Sequence, residues 1–175
     1  MRYAIFLNCT DLYYPTIKKY GRKIDYTLLE KDLQSFLNTE ELPTFKFAYG
    51  QYSNRAAHKF QTKLDFLGFD VNFFSLNRRY DLPIRMAVDI MKTDVDIYVI
   101  ASNDPSLISV MEYLKSIGKT LIMVGVTSLP ILRYADHTIT IKEEVFEVAT
   151  ESSPEHVSAD SVLDGDGGVS SSPAE

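Results

Sequence analysis

Apolar positions along this chain fall into two alternating kinds of run. YAIFLN (3–8), FKFAYG (45–50), FDVNFFSL (69–76), DIYVIAS (96–102), KTLIMVGV (119–126) and HTITI (137–141) have strand length and strand composition. Between them the spacing turns helical. YTLLEKDLQSFL (26–37) puts Leu28, Leu29, Leu33, Phe36 and Leu37 on one face. SNRAAHKFQTKLDFLG (53–68) opens on a Ser cap, repeats Phe60, Leu64 and Leu67, and stops at Gly68. PIRMAVDIMKT (83–93) opens on Pro, PSLISVMEYLKSIG (105–118) closes on Gly, and LPILRYA (129–135) is a short helix. No regular element is read between residues 9 and 25.

Strands alternating with helices predict an α/β fold of three layers, a mainly parallel sheet with helices on both faces joined by right-handed crossovers. The near-continuous runs IYVIA and LIMVGV suit strands buried on both sides. In such sheets ligands sit outside the carboxyl ends of the strands. That rule selects residues 8–14, 50–54, 102–106 and 125–128.

Charge divides the chain. From Glu143 onward there are nine acidic residues and no Lys or Arg, so residues 1–142 hold 15 acidic and 18 basic residues, a net of +3. ESSPEHVSADSVLDGDGGVSSSPAE has no aromatic residue and little to bury, which predicts a disordered acidic tail over 146–175 after a domain spanning 1–145. A mildly basic body meets a polyanion; an acidic tail repels one or competes for the same surface, or only aids solubility. No apolar run approaches the roughly 20 residues of a membrane helix. The N-terminus reads as a strand rather than a signal peptide. The only cysteine, Cys9, excludes an intramolecular disulfide and a zinc site built on several cysteines. The expectation is a cytoplasmic protein without membrane contact.

GxGxxG, GxxxxGK[ST], GxSxG and HExxH are all missing. His58, His137 and His156 read as surface or packing residues. What remains is carboxylates: Asp11 after the first strand, Asp104 after the fourth, Asp89 in the helix before it, and Asp136 before the last. Hard cations take such oxygen ligands, with water and phosphate completing the shell. Each acid also has a plain structural reading. Asp104 followed by Pro is what a helix N-cap looks like. Asp11 equally suits a cap. Asp89 pairs with Arg85, four residues earlier. Asp136 ends a short helix. Tyr13 and Tyr14 precede Lys18, Lys19, Arg22 and Lys23, and Arg78 and Arg79 precede Tyr80. Cations beside tyrosines suit single-stranded RNA, whose phosphates meet Lys or Arg and whose bases stack on rings. The plain reading is a solvated loop.

FLNCTDLYY, SNDPSLISVMEYLKSIGK and YADHTITI, in this order of elements, resemble the NYN domain of the LabA-like branch, within the PIN-like nuclease superfamily. The resemblance covers about residues 3 to 141. It implies a PIN-like, Rossmann-like fold and metal-dependent ribonuclease chemistry with Mg²⁺ or Mn²⁺. The family's first motif reads roughly F-[IV]-D-G-x-N-[LF]; here its Asp falls on Asn8 and its Asn on Asp11. The later motif, S-G-D-x-D-F, keeps its first Asp as Asp104 and places its second on Ser106. Asp89 matches the Asp of the middle helix, and Asp81 lies near the position before it. The implied site is therefore degenerate. Asp104, Asp11, Asp89 and Asp81 are its candidate metal ligands, with Asn8 and Ser106 orienting phosphate or water. Arg78, Arg79, Tyr13, Lys18 and Lys19 are the candidate RNA contacts. The expected partner is single-stranded or structured RNA, and the expected activity is weak or lost. The competing expectation is a protein-binding or oligomerisation module on the same scaffold. An anion or nucleotide sensor in the same cleft is a third.

Overall fold

The computed structural model describes residues 1–52, 55–78, 80–126 and 130–147. Six strands form one sheet: β1 (Tyr3–Asn8), β2 (Phe45–Tyr52), β3 (Asp70–Ser75), β4 (Ile97–Ala101), β5 (Thr120–Gly125) and β6 (His137–Thr140). Their order is β3-β2-β1-β4-β5-β6, and every pairing is parallel. The helices are α1 (Cys9–Tyr20), α2 (Tyr26–Leu37), α3 (Arg55–Phe66), α4 (Asp81–Lys92) and α5 (Ile108–Ser116).

Side-chain alternation along the central strands builds two cores. Tyr3, Ile5 and Leu7 of β1 join Leu12 of α1, Leu29 and Leu33 of α2 and Leu64 of α3. Ala4 and Phe6 point the other way and join Met86 and Ile90 of α4 and Met111 and Leu114 of α5. The sheet is thus the middle of three layers, with α1, α2 and α3 on one face and α4 and α5 on the other. Phe6 stacks on Phe47 at 5.1 Å and on Tyr98 at 6.1 Å, a row of rings across β2, β1 and β4. Each such buried ring contributes roughly 1.5–3 kcal/mol.

Helix α1 is the largest departure from the sequence reading. Its pattern is blurred by Pro15 within it and by exposed Tyr13 and Tyr14. It forms because Asn8 caps it, Leu12 and Thr16 are buried one turn apart, and Gly21 closes it at φ 63°. The cap is therefore Asn8, not Asp11. On α2 only Leu29 and Leu33 of the expected face are fully buried; Leu28 and Phe36 stay exposed. The run 105–118 splits into a 3-10 turn (Pro105–Leu107) and α5, and Pro130–Tyr134 is also 3-10. Ser53, read as the cap of α3, lies outside the described residues, as does the tail from residue 148. Among the described residues no helix is long and apolar enough to cross a membrane.

Residues 143–147 return to the body. Val145 and Phe146 are buried. Phe146 bridges Ile24 in antiparallel fashion and packs against the Tyr20 ring at 4.6 Å.

Candidate functional site

Strand order reverses between β1 and β4, so the crevice at their carboxyl ends is the default ligand site of such a sheet. The same strand order serves dinucleotide-binding proteins, but this chain has no glycine-rich turn after β1. Two segments meet there: Asn8–Asp11, which runs from the end of β1 into the first turn of α1, and the loop Ser102–Asp104.

Asp11 is their hub. Its Oδ2 accepts from the Asn8 side-chain amide at 2.8 Å, the Ser102 hydroxyl at 2.9 Å and the Asn103 backbone N–H at 2.6 Å. Asn8 is buried and works both ways: its Oδ1 accepts from the Asp11 N–H at 3.3 Å, capping α1. Its amide also reaches Ser102 Oγ at 3.4 Å. Ser102 Oγ in turn accepts from the Asp104 N–H at 3.2 Å. Pro15 has no N–H to offer the carbonyl four residues back, which is Asp11. The Asn103 side-chain amide meets that carbonyl instead, at 3.4 Å. Burial pushes the Asp11 carboxyl above its usual range, and the Asp104 charge adds to the rise. The Asn103 and Ser102 hydrogen bonds oppose it.

Asp104 has the expected cap geometry. Its Oδ1 accepts from the Ser106 N–H at 2.9 Å and Pro105 opens the turn. Ser106 is exposed and meets Asp104 through its backbone. The remaining acids have partners of their own. Asp89 is buried under α4 and accepts from the Tyr49 hydroxyl at 3.0 Å and Arg85 Nε at 2.7 Å, the pairing its spacing predicted. Asp81 pairs with Arg78. Asp136 lies at the amino end of β5, where it accepts from the Leu121 N–H at 2.9 Å and Lys115 at 3.0 Å. No hydrogen bond joins Asp81 or Asp89 to the Asp11 hub among the described residues.

The candidate RNA contacts are dispersed. Tyr13 is exposed near the crevice, edge-on to Tyr14 at 5.5 Å. Lys18 and Lys19 end α1, about 12 Å from Asp11 along the axis by helical rise. Arg78 is exposed and lies over the Phe74 ring at 6.0 Å. Arg79 is outside the described residues. Ser102, Asn103 and Tyr49 had no assigned role in the sequence reading. Only the strand-end rule pointed near the first two.

A hard divalent cation needs several oxygen ligands converging on one point. No group of three or more His, Cys, Asp or Glu is placed to hold a metal among the described residues. The crevice offers Asp11 and Asp104, beside an amide and a hydroxyl. All three hydrogen bonds to the Asp11 carboxylate end on Oδ2, and the one to Asp104 ends on Oδ1. Asp11 and Asp104 are the carboxylates that would hold a hard cation here, with water completing its shell.

A family model described as the NYN domain matches residues 2–142. No curated protein and no solved structure matches the chain. The six-stranded parallel sheet with helices on both faces is the three-layer PIN-like architecture, and the chain belongs to the NYN domain family.

Proposed function

We propose that this chain is an RNA-interacting NYN protein of the LabA-like branch whose carboxylate site is degenerate, so that ribonuclease activity is weak or lost. The observation that carries this reading is Asp11, whose Oδ2 is spent on Asn8, Ser102 and Asn103. That oxygen ties two segments of the fold together, while the position on which the family's first Asp falls carries the uncharged, buried Asn8. RNA binding does not need that ligand. Phosphates are drawn to Lys18, Lys19, Arg78 and Arg79, and bases stack on Tyr13 and Tyr14. The sole cysteine, buried in the core, suits a reducing cytoplasm.

The test is to incubate labelled single-stranded and hairpin RNAs with the protein in Mg²⁺ and in Mn²⁺, beside Asp104→Asn. Retention that falls linearly with the logarithm of salt, without cleavage, is expected for both proteins. Metal-dependent cleavage abolished in Asp104→Asn makes the site a working one and overturns the degenerate reading. No retention at low salt overturns the RNA reading.

One observation favours a protein-binding module. Ile84, Val88 and Met91 are exposed along the outer side of α4, and so are Tyr113 on α5 and Ile117 just past its end. An apolar stripe on a helix that already buries its opposite side is the usual mark of a protein partner or a second copy. Sedimentation that shifts with protein concentration, and is restored to monomer by Val88→Asp, supports that reading.

A further inference from the structure

Five contacts hold Phe146 and Glu147, the last described residues, on the body. Arg22 Nε donates to the Glu147 carbonyl at 3.2 Å, and its Nη2 to the Phe146 carbonyl at 3.4 Å. The Glu147 N–H donates to the Lys23 carbonyl at 2.8 Å. Lys63 Nζ meets Glu147 Oε1 at 2.7 Å. The Arg22 guanidinium also lies over the Phe146 ring at 5.8 Å. The next ring, Tyr20, touches Phe146 and carries Lys19 Nζ at 4.8 Å from its centroid. Lys19, Arg22, Lys23 and Lys63 therefore gather within one side chain of the last described residues. Lys18 stands beside Lys19, and both, like Lys23, are exposed.

Only Glu147 answers this cluster among the described residues, through Lys63. Among the described residues no salt bridge involves Lys18, Lys19 or Lys23. Residues 148–175 carry six acidic residues and no Lys or Arg. Chain and cluster are tethered at zero distance, so the acidic segment meets the cations at an effective concentration in the millimolar range. A random coil of its 28 residues would span roughly 30 Å, enough to reach across the patch.

We infer that the basic face formed by Lys18, Lys19, Lys23 and Arg22 is a docking surface for the chain's own acidic segment, residues 148–175, which competes there with polyanions. The competition, though not the docking, rests on the RNA reading above. The acids act as a tethered phosphate mimic. Because exposed charges are screened within about 10 Å at 0.1 M salt, docking is strong at low salt and fades as salt rises.

The test keeps the full chain. Cys9 is buried, so a nitroxide introduced through Ser171→Cys labels one position. At about 20 mM salt the label is expected to broaden the amide signals of residues 18–23, and the signals are expected to recover at about 0.5 M. Broadening should vanish when all six acids of residues 148–175 are converted to their amides, and when Lys18, Lys19 and Lys23 are converted to Gln. In parallel, an oligouridine should bind the six-amide variant on the order of tenfold more tightly than the parent at low salt, with no difference at high salt. Absent broadening at low salt, or broadening that survives charge removal, overturns the docking. If the oligouridine binds neither protein while the broadening behaves as expected, the RNA reading fails and the docking stands. Equal tight binding by both proteins overturns the competition.

Discussion

The Ser102 hydroxyl donates to the Asp11 carboxylate across 2.9 Å and 91 residues of sequence. That contact joins the first turn of α1 to the loop after β4, at the place where the strand order turns. Asn103 strengthens the tie through its backbone N–H at 2.6 Å. The crevice of this domain is therefore stapled by a carboxylate.

Removing the staple should cost stability. Asp11→Ala leaves the Asn8 amide, the Ser102 hydroxyl and the Asn103 N–H without their acceptor, and an unmet buried donor costs about 1–3 kcal/mol. A loss of about 2–4 kcal/mol in urea unfolding is expected from these partly compensated groups. Asp11→Asn keeps one acceptor oxygen and should lose about half as much. An Ala variant within about 0.5 kcal/mol of the parent would show that the hub is not holding the loops.

Two acids should respond to pH with opposite signs. The Asp11 carboxyl lies above its ordinary value, chiefly through burial. The folded state thus holds its proton more tightly than the unfolded chain, so its contribution is fully present below the unfolded value of roughly 3.9 and is lost as pH rises through the folded value. Asp136 lies below its ordinary value, first through the Leu121 N–H and then through Lys115. Its contribution is present above roughly 3.9 and is lost as pH falls through the folded value. On acidification from neutrality, the stability of the parent relative to Asp11→Asn should rise, and relative to Asp136→Asn should fall. Urea midpoints taken from pH 7 to pH 3 measure both trends; parallel curves would remove both assignments.

Gly50 is constrained by space rather than by backbone angle. A Cβ there would lie 2.7 Å from Phe73 Cζ and 2.9 Å from Cε2. The Phe73 ring packs near Phe60 at 5.9 Å and against the core, so it has little freedom to retreat. Gly50→Ala should destabilise by about 1–3 kcal/mol. In a Phe73→Leu background the penalty should shrink, a coupling of at least about 0.5 kcal/mol in a double-mutant cycle. Additive effects would mean the ring moves aside freely.

Asp104 separates a cap from a ligand. Asp104→Ala removes the acceptor for the Ser106 N–H and should cost about 1 kcal/mol, while Asp104→Asn should cost only a few tenths, since Asn caps nearly as well. Thermal melts of the two variants measure the difference. A large loss in Asp104→Asn alone would mean that the charge matters beyond the cap.

The chain's own pattern determined the alternation of strands and helices, the buried central strands, the Asp104–Pro105 cap and the Arg85–Asp89 pair. Each depends on residues within a few positions of one another, where side-chain period and local hydrogen bonding decide the outcome. The same locality made α1 illegible: Pro15 and two exposed tyrosines hide its pattern, and its cap, Asn8, is also the last residue of β1. Which acids meet was settled only by tertiary structure. The sheet order places β1 beside β4, and so Asp11 beside Ser102 and Asn103. It sets Tyr49 of β2 against Asp89 of α4, 40 residues apart, and Phe73 over Gly50. No window of sequence encodes such neighbours, because they follow from how crossovers stack strands that are distant in the chain.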